Sequence, residues 1–171
     1  MSLKNVHFDT HALFYLTAEC PSLESLSLTS CSFTNFEICI SNSSLRSFDI
    51  KQSKASEIQV YQTVNLESLD VISLNFELKS MIFRECYNLK YMEISARHLK
   101  MFQLGGCYDV KATLNTPELC DFNFEGYLKS EFSLRDPKLW SASIILWDNW
   151  DEELQSLDGP WRHFPRLRNF L

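Results

Sequence analysis

The feature that most constrains this chain is a repeat. In CPSLESLSLTSC, Leu23, Leu26 and Leu28 form the pattern L-x-x-L-x-L, with Cys31 three residues further on. The same apolar spacing returns at Leu3-Val6-Phe8, Leu45-Phe48-Ile50, Leu66-Leu69-Val71, Leu78-Met81-Phe83, Leu99-Phe102-Leu104 and Leu119-Phe122-Phe124. First residues of successive matches lie 20, 22, 21, 12, 21 and 20 positions apart. The closing alternation predicts a β-strand whose L-x-L pair points inward and whose other side chains point outward. One unit of about 20 residues cannot bury its own apolar face, so units must stack and share a core.

A period of about 20–29 residues with this signature points to leucine-rich repeats. Cys31, Cys86 and Cys107 each fall eight residues after a first leucine. Such repeats carry Asn or Cys there, where a small, weakly polar side chain can turn inward. A second apolar triplet, Phe33-Phe36-Ile38, Ala55-Ile58-Val60 and Leu89-Met92-Ile94, with an echo at Val110-Ala112-Leu114, predicts mostly extended or short-helical return legs. The 12-residue step from Leu66 to Leu78 is irregular, because a parallel pair needs a crossover of about a dozen residues or more. Either a return leg is lost there or one triplet is misassigned, and Leu66, Leu89 and Val110 form a competing series. The series that ends in cysteine is preferred. The expected fold is therefore an α/β leucine-rich-repeat solenoid over 1–135, a short horseshoe with its parallel β-sheet on the concave face.

From 136 the texture changes. All four tryptophans, at 140, 147, 150 and 161, fall in this stretch. Trp150, Leu154 and Leu157 follow helical spacing behind Asp151-Glu152-Glu153, and Trp161, Phe164, Leu167 and Leu171 form a second short apolar series. A helical aromatic C-terminal cap is expected over 136–171, and it reads as truncated because the chain stops inside an apolar helix.

Several function classes fall away. The net charge of −6 argues against nucleic acid, whose phosphates call for clustered Lys and Arg. No apolar run of about 18 residues is present, so no membrane span is expected. The six cysteines show no Cys-x-x-Cys pair, which disfavours zinc. A disulfide between Cys20 and Cys31 would have to reach roughly 20 Å along the intervening strand, against a limit of about 7 Å between Cα atoms. Reduced, buried thiols in a cytoplasmic or nuclear protein are expected instead. His7 and His11 lack the Glu of a His-Glu-x-x-His motif, and Gly105-Gly106-Cys107 is no phosphate loop. No catalytic residue, cofactor or metal ligand is expected, and the chain does not read as an enzyme.

CPSLESLSLTSC, CYNLKYMEISARHLKMFQLGGC and TPELCDFNFEG resemble the repeat region of plant F-box/leucine-rich-repeat proteins, and FPRLRNFL is similar to a helix often placed after those repeats. The resemblance implies an intracellular domain that recruits a target protein to a Skp1–cullin–F-box ubiquitin ligase. The chain shows no match to the F-box, so a Skp1-type adaptor is an expected partner only if an F-box lies upstream in the full product. The alternative is a repeat segment of a plant immune receptor, or a stand-alone scaffold. In either case the target is expected on the concave sheet, at the outward residues Asp49, Lys51, Asp70, Ile72, Ile82, Arg84, Met101 and Gln103. Glu37 and Glu57 are placed on the return legs, away from it.

Overall fold

In the computed structural model, residues 1–171 are described except 10, 74–76, 128, 136 and 148–171. The elements, in chain order, are β1 (Ser2–Lys4), β2 (His7–Phe8), α1 (Ala12–Ala18), β3 (Ser25–Thr29), β4 (Ser32–Phe33), β5 (Glu37–Ser41), β6 (Ser47–Lys51) and β7 (Glu57–Tyr61). They continue with β8 (Ser68–Ser73), β9 (Ser80–Arg84), β10 (Tyr91–Ala96), β11 (Met101–Cys107), β12 (Lys111–Asn115), β13 (Asp121–Tyr127), β14 (Glu131–Leu134) and β15 (Ser141–Trp147). A first sheet has the order β1-β3-β6-β8-β10-β12-β14, and a second the order β5-β7-β9-β11-β13-β15. Every pairing in them is parallel. Each coil lays one strand on each sheet, and the short β2–β4 pair lies at a corner of the first two coils.

The alternation expected from the sequence is what builds the core. Leu26 and Leu28, Phe48 and Ile50, Leu69 and Val71, Met92 and Ile94 point inward from the first sheet, each 3% exposed or less. Ile58 and Val60, Met81 and Phe83, Phe102 and Leu104 meet them from the second. Identical depths in successive coils also stack like on like: the rings of Phe102 and Phe122 lie 5.8 Å apart and 15° from parallel. The outward residues of the same strands remain half-buried or exposed.

The repeat frame needs correction. Leu66-Leu69-Val71 enters β8 of the first sheet, whereas Leu78-Met81-Phe83 enters β9 of the second. The 12-residue step is half a coil, so the series ending in cysteine changes sheets at that point. The competing series is the one the ladder follows: Leu69 pairs with Met92, and Met92 with Ala112. Six residues suffice because the link joins two sheets rather than crossing over within one. The first triplet is also displaced, since Leu3 pairs with Leu28 rather than with Leu23.

Corners are turned by backbone in the left-handed region. Asn5, Ser30 and Gln52 have φ of 56°, 53° and 52° after first-sheet strands, Gln62 and Glu85 have 51° and 58° after second-sheet strands, and Gly106 has 78° at the register shift near the end of β11. Only at Gly106 is that conformation free of a side-chain penalty. In the first coil α1 replaces a second-sheet strand and packs on β5. Asp9 Oδ1 accepts the Ala12 N–H at 2.8 Å and so supplies the start of this helix. Buried Asn42 anchors its end, donating through Nδ2 to Thr17 O at 2.6 Å and to Cys20 O at 3.0 Å.

At the other end the ladder runs past 135: β15 pairs with β13 from Asp121↔Ser141 to Tyr127↔Trp147. The helical spacings expected from Trp150 onward lie outside the described residues. Among the described residues no helix is long and apolar enough to cross a membrane.

Candidate functional site

Outward side chains on neighbouring strands of a parallel sheet stand about 4.8 Å apart, so each sheet face is a grid of rungs. The two grids differ in chemistry. On the first sheet one rung reads Ser27, Asp49, Asp70, Glu93 and Thr113 in register. Lys51 reaches diagonally to Asp70 at 3.5 Å. On the second sheet the corresponding rung reads Cys39, Gln59, Ile82, Gln103, Asn123 and Ser143. Beside it run Tyr61, Arg84, Gly105 and Glu125.

The expected site is therefore divided. Asp49 and Lys51 on β6 and Asp70 and Ile72 on β8 belong to the first sheet. Ile82 and Arg84 on β9 and Met101 and Gln103 on β11 belong to the second. The structure unites each set of four and does not bring the sets together. Glu57, expected on the far side, lies in register with Ser80 on the second sheet itself.

Hydrogen bonding distinguishes the centre of the second face from its flanks. Along β7 the Tyr61 hydroxyl donates to Gln59 Oε1, and Gln59 Nε2 donates to Glu57 Oε1 at 2.6 Å. Partial burial, followed by the charge of Cys39, pushes the Tyr61 phenol above its ordinary value, while nearby Arg84 pulls it back. Along β13, Asn123 Nδ2 donates to Asp121 Oδ1 at 3.1 Å. Between these internally tied strands, Ile82, Arg84 and Gln103 make no side-chain hydrogen bond or ion pair among the described residues. Met101 is 37% exposed. Gly105 leaves a notch beside Arg84, where an added Cβ would meet nothing closer than Glu125 Oε2 at 3.9 Å.

The cysteines mark corners, though not all the same one. Cys31 follows a first-sheet strand, while Cys86 follows second-sheet β9 and Cys107 ends second-sheet β11. All three are buried free thiols. Thr63 Oγ1 and Cys86 Sγ lie 3.2 Å apart, and Cys107 Sγ donates to Cys86 O at 3.4 Å. Burial pushes the Cys86 thiol up to about 11, with its contacts to the Thr63 hydroxyl and the Arg84 backbone opposing it, and burial pushes Cys107 further up. Neutral, weakly polar corner groups are the result. Among the described residues no His, Cys, Asp and Glu group could hold a metal ion.

A row of tyrosines is missed by reasoning on the leucines alone. Tyr87, Tyr108 and Tyr127 follow β9, follow β11 and end β13, with ring centroids 5.8 Å and 4.8 Å apart. Their spacing of 21 and 19 residues is the signal that could have found them.

Comparison with known families decides the lineage. Residues 1–113 match the profile described as FBD-associated F-box protein At5g56370, LRR repeats. The chain belongs to this leucine-rich-repeat family. A search of curated proteins and of solved structures returned no match. As a leucine-rich-repeat chain it is a protein-binding repeat module, and the question that remains is which face binds.

Proposed function

We propose that this leucine-rich-repeat chain is the target-recognition module of an F-box-type ubiquitin ligase subunit, and that it holds its target protein on the second-sheet face. The observation that carries the choice of face is its centre, where among the described residues Ile82, Arg84 and Gln103 make no side-chain hydrogen bond or ion pair and exposed Met101 receives a long contact from Ser80 Oγ at 3.8 Å. Ile82, Arg84, Met101 and Gln103 lie on adjacent strands, flanked by strands whose polar side chains already bond to one another. An apolar centre with an arginine, rimmed by satisfied polar groups, is the layout in which binding energy concentrates. The first-sheet set of Asp49, Lys51, Asp70 and Ile72 lacks this layout, because Lys51 is already paired with Asp70. The setting is cytoplasmic or nuclear, and a Skp1-type adaptor would be engaged through an F-box of the same gene product.

Proximity labelling in plant cells would supply the target, and its affinity for purified variants would test the face. Arg84→Ala and Ile82→Ser should each weaken binding by more than about 1 kcal/mol, with thermal stability unchanged. Asp70→Ala and Ile72→Ser should do little. The reverse result would move recognition to the first sheet, and a target whose ubiquitylation ignores Arg84→Ala would remove the ligase role.

A further inference from the structure

The tyrosine corner lies away from the second-sheet face, beside the starts of β10 and β12, and opens a groove of about 210 Å³ between two coils. Its floor is Leu89, which is 1% exposed, and its walls are Tyr87 and Tyr108, with Tyr91 at the first-sheet end. Tyr91 is 62% exposed and Tyr108 49%, so two large aromatic surfaces face solvent at one place. Among the described residues none of these three phenol hydroxyls has a hydrogen-bond partner. The charges along the groove are asymmetric. Asp109 sits at the corner, while Lys90 and Lys111 stand toward the first sheet, where Lys111 is in register with Tyr91. Among the described residues those lysines pair with exposed carboxylates, Glu67 at 3.6 Å and Glu131 at 3.8 Å. Surface pairs of this kind contribute little and exchange readily.

We propose that this groove binds an extended, proline-rich protein segment with acidic residues at the end that reaches Lys90 and Lys111. Three features of the groove fit that occupant. Flat, exposed tyrosine faces accept pyrrolidine rings, which arrive already rigid. A polyproline II segment has no internal hydrogen bonds, so its carbonyls remain open to donation from the phenols. The two ammonium groups at one end and Asp109 at the other complement a chain charged at one end, and so set its direction. A helix would need a wide apolar trough and an added strand a free sheet edge, whereas this wall is made of side chains.

The test is a selection of short random peptides displayed against the full 171-residue chain, followed by affinity measurement on the enriched sequences. Enriched peptides should carry paired prolines with acidic residues at one end. Replacing their prolines by alanine, or Tyr108 by Ala, should weaken binding about tenfold or more, the scale of a binding anchor. Because Tyr108→Ala removes a ring from the corner, a charge swap serves as the second arm. Lys90→Glu with Lys111→Glu, both exposed, should shift the preference from acidic to basic flanks and leave the melting temperature within a few degrees. Arg84→Ala should leave peptide binding intact, which separates this site from target recognition on the second sheet. Enrichment without proline, or identical sequences selected by wild type and Tyr108→Ala, would overturn the proposal.

Discussion

The two sheets of this molecule have the same inside and different outsides. Inward, each presents alternating Leu, Ile, Val, Met and Phe at nearly zero exposure to one shared core. Outward, the first sheet sets three carboxylates side by side, Asp49, Asp70 and Glu93, whereas the second sets amides and Ile82 on its middle rung. Burial constrains only one face of each strand, so the other is free to specialise. Each face can then be altered without touching what holds the solenoid together.

The largest effects should therefore be equal on the two sheets. Leu69 on the first and Leu104 on the second are 2% and 0% exposed. Leu→Ala at either site should cost about 2–5 kcal/mol in denaturant melts, by lost transfer energy and the cavity left behind. A cost confined to one sheet would mean that the sheets do not share a core.

The corners separate the sheets next. Cys86 and Cys107 close second-sheet strands, and Cys86 is raised from 9.0 to about 11 by burial. Unfolding releases a thiol that ionises near its ordinary value, so this contribution to stability is whole below pH 9. It is lost as pH rises through the folded value. The expected loss is on the order of 3 kcal/mol across that window from Cys86 alone. Thermal melts between pH 8 and 11 would show it, and Cys86→Ser should remove about half of the slope, since Cys107, raised further, contributes over the same range. Thiol reagents should likewise label Cys86 and Cys107 slowly in the native protein and rapidly after unfolding. A first-sheet corner offers the opposite case. Thr116 is fully buried, and its hydroxyl has no hydrogen-bond partner among the described residues. Thr116→Val keeps the shape and removes the unsatisfied group, and should raise stability by about 1 kcal/mol.

This division of labour also explains what the sequence reveals. Which residues face inward is legible, because every strand of a shared core must alternate: Leu26, Phe48, Met81 and Phe102 are all buried as expected. Which sheet each strand joins is not legible from that alternation, since both legs of a coil bury one face and so write the same L-x-x-L-x-L. Leu66 and Leu78 therefore look like neighbours in one series although they lie on different sheets. The candidate site inherits the ambiguity, and its two halves part where the series changes phase. In β15 the pattern itself is blurred, because Ile145 between inward Ile144 and Leu146 is 52% exposed. The tyrosine groove shows only when the 21-residue period is applied to residues outside the leucine pattern.

The smallest effect tests whether the acidic rung has a stability cost. Asp49, Asp70 and Glu93 are direct neighbours on β6, β8 and β10. Lys51 offsets only Asp70, at 3.5 Å. Like charges opposite one another on a sheet oppose pairing by a few tenths of a kcal/mol. Glu93→Thr should remove one repulsion and supply a β-branched residue beside Thr113, its register partner on β12. A gain of about 0.3–1 kcal/mol is expected at low salt, shrinking as added salt screens the exposed charges. On the second sheet Gln103→Thr, in the same strand position with no charge to relieve, should show no salt dependence. If both substitutions behave alike in denaturant melts at low and high salt, the carboxylate rung exerts no measurable repulsion, and the contrast between the two outer faces is one of composition without energetic consequence for the fold.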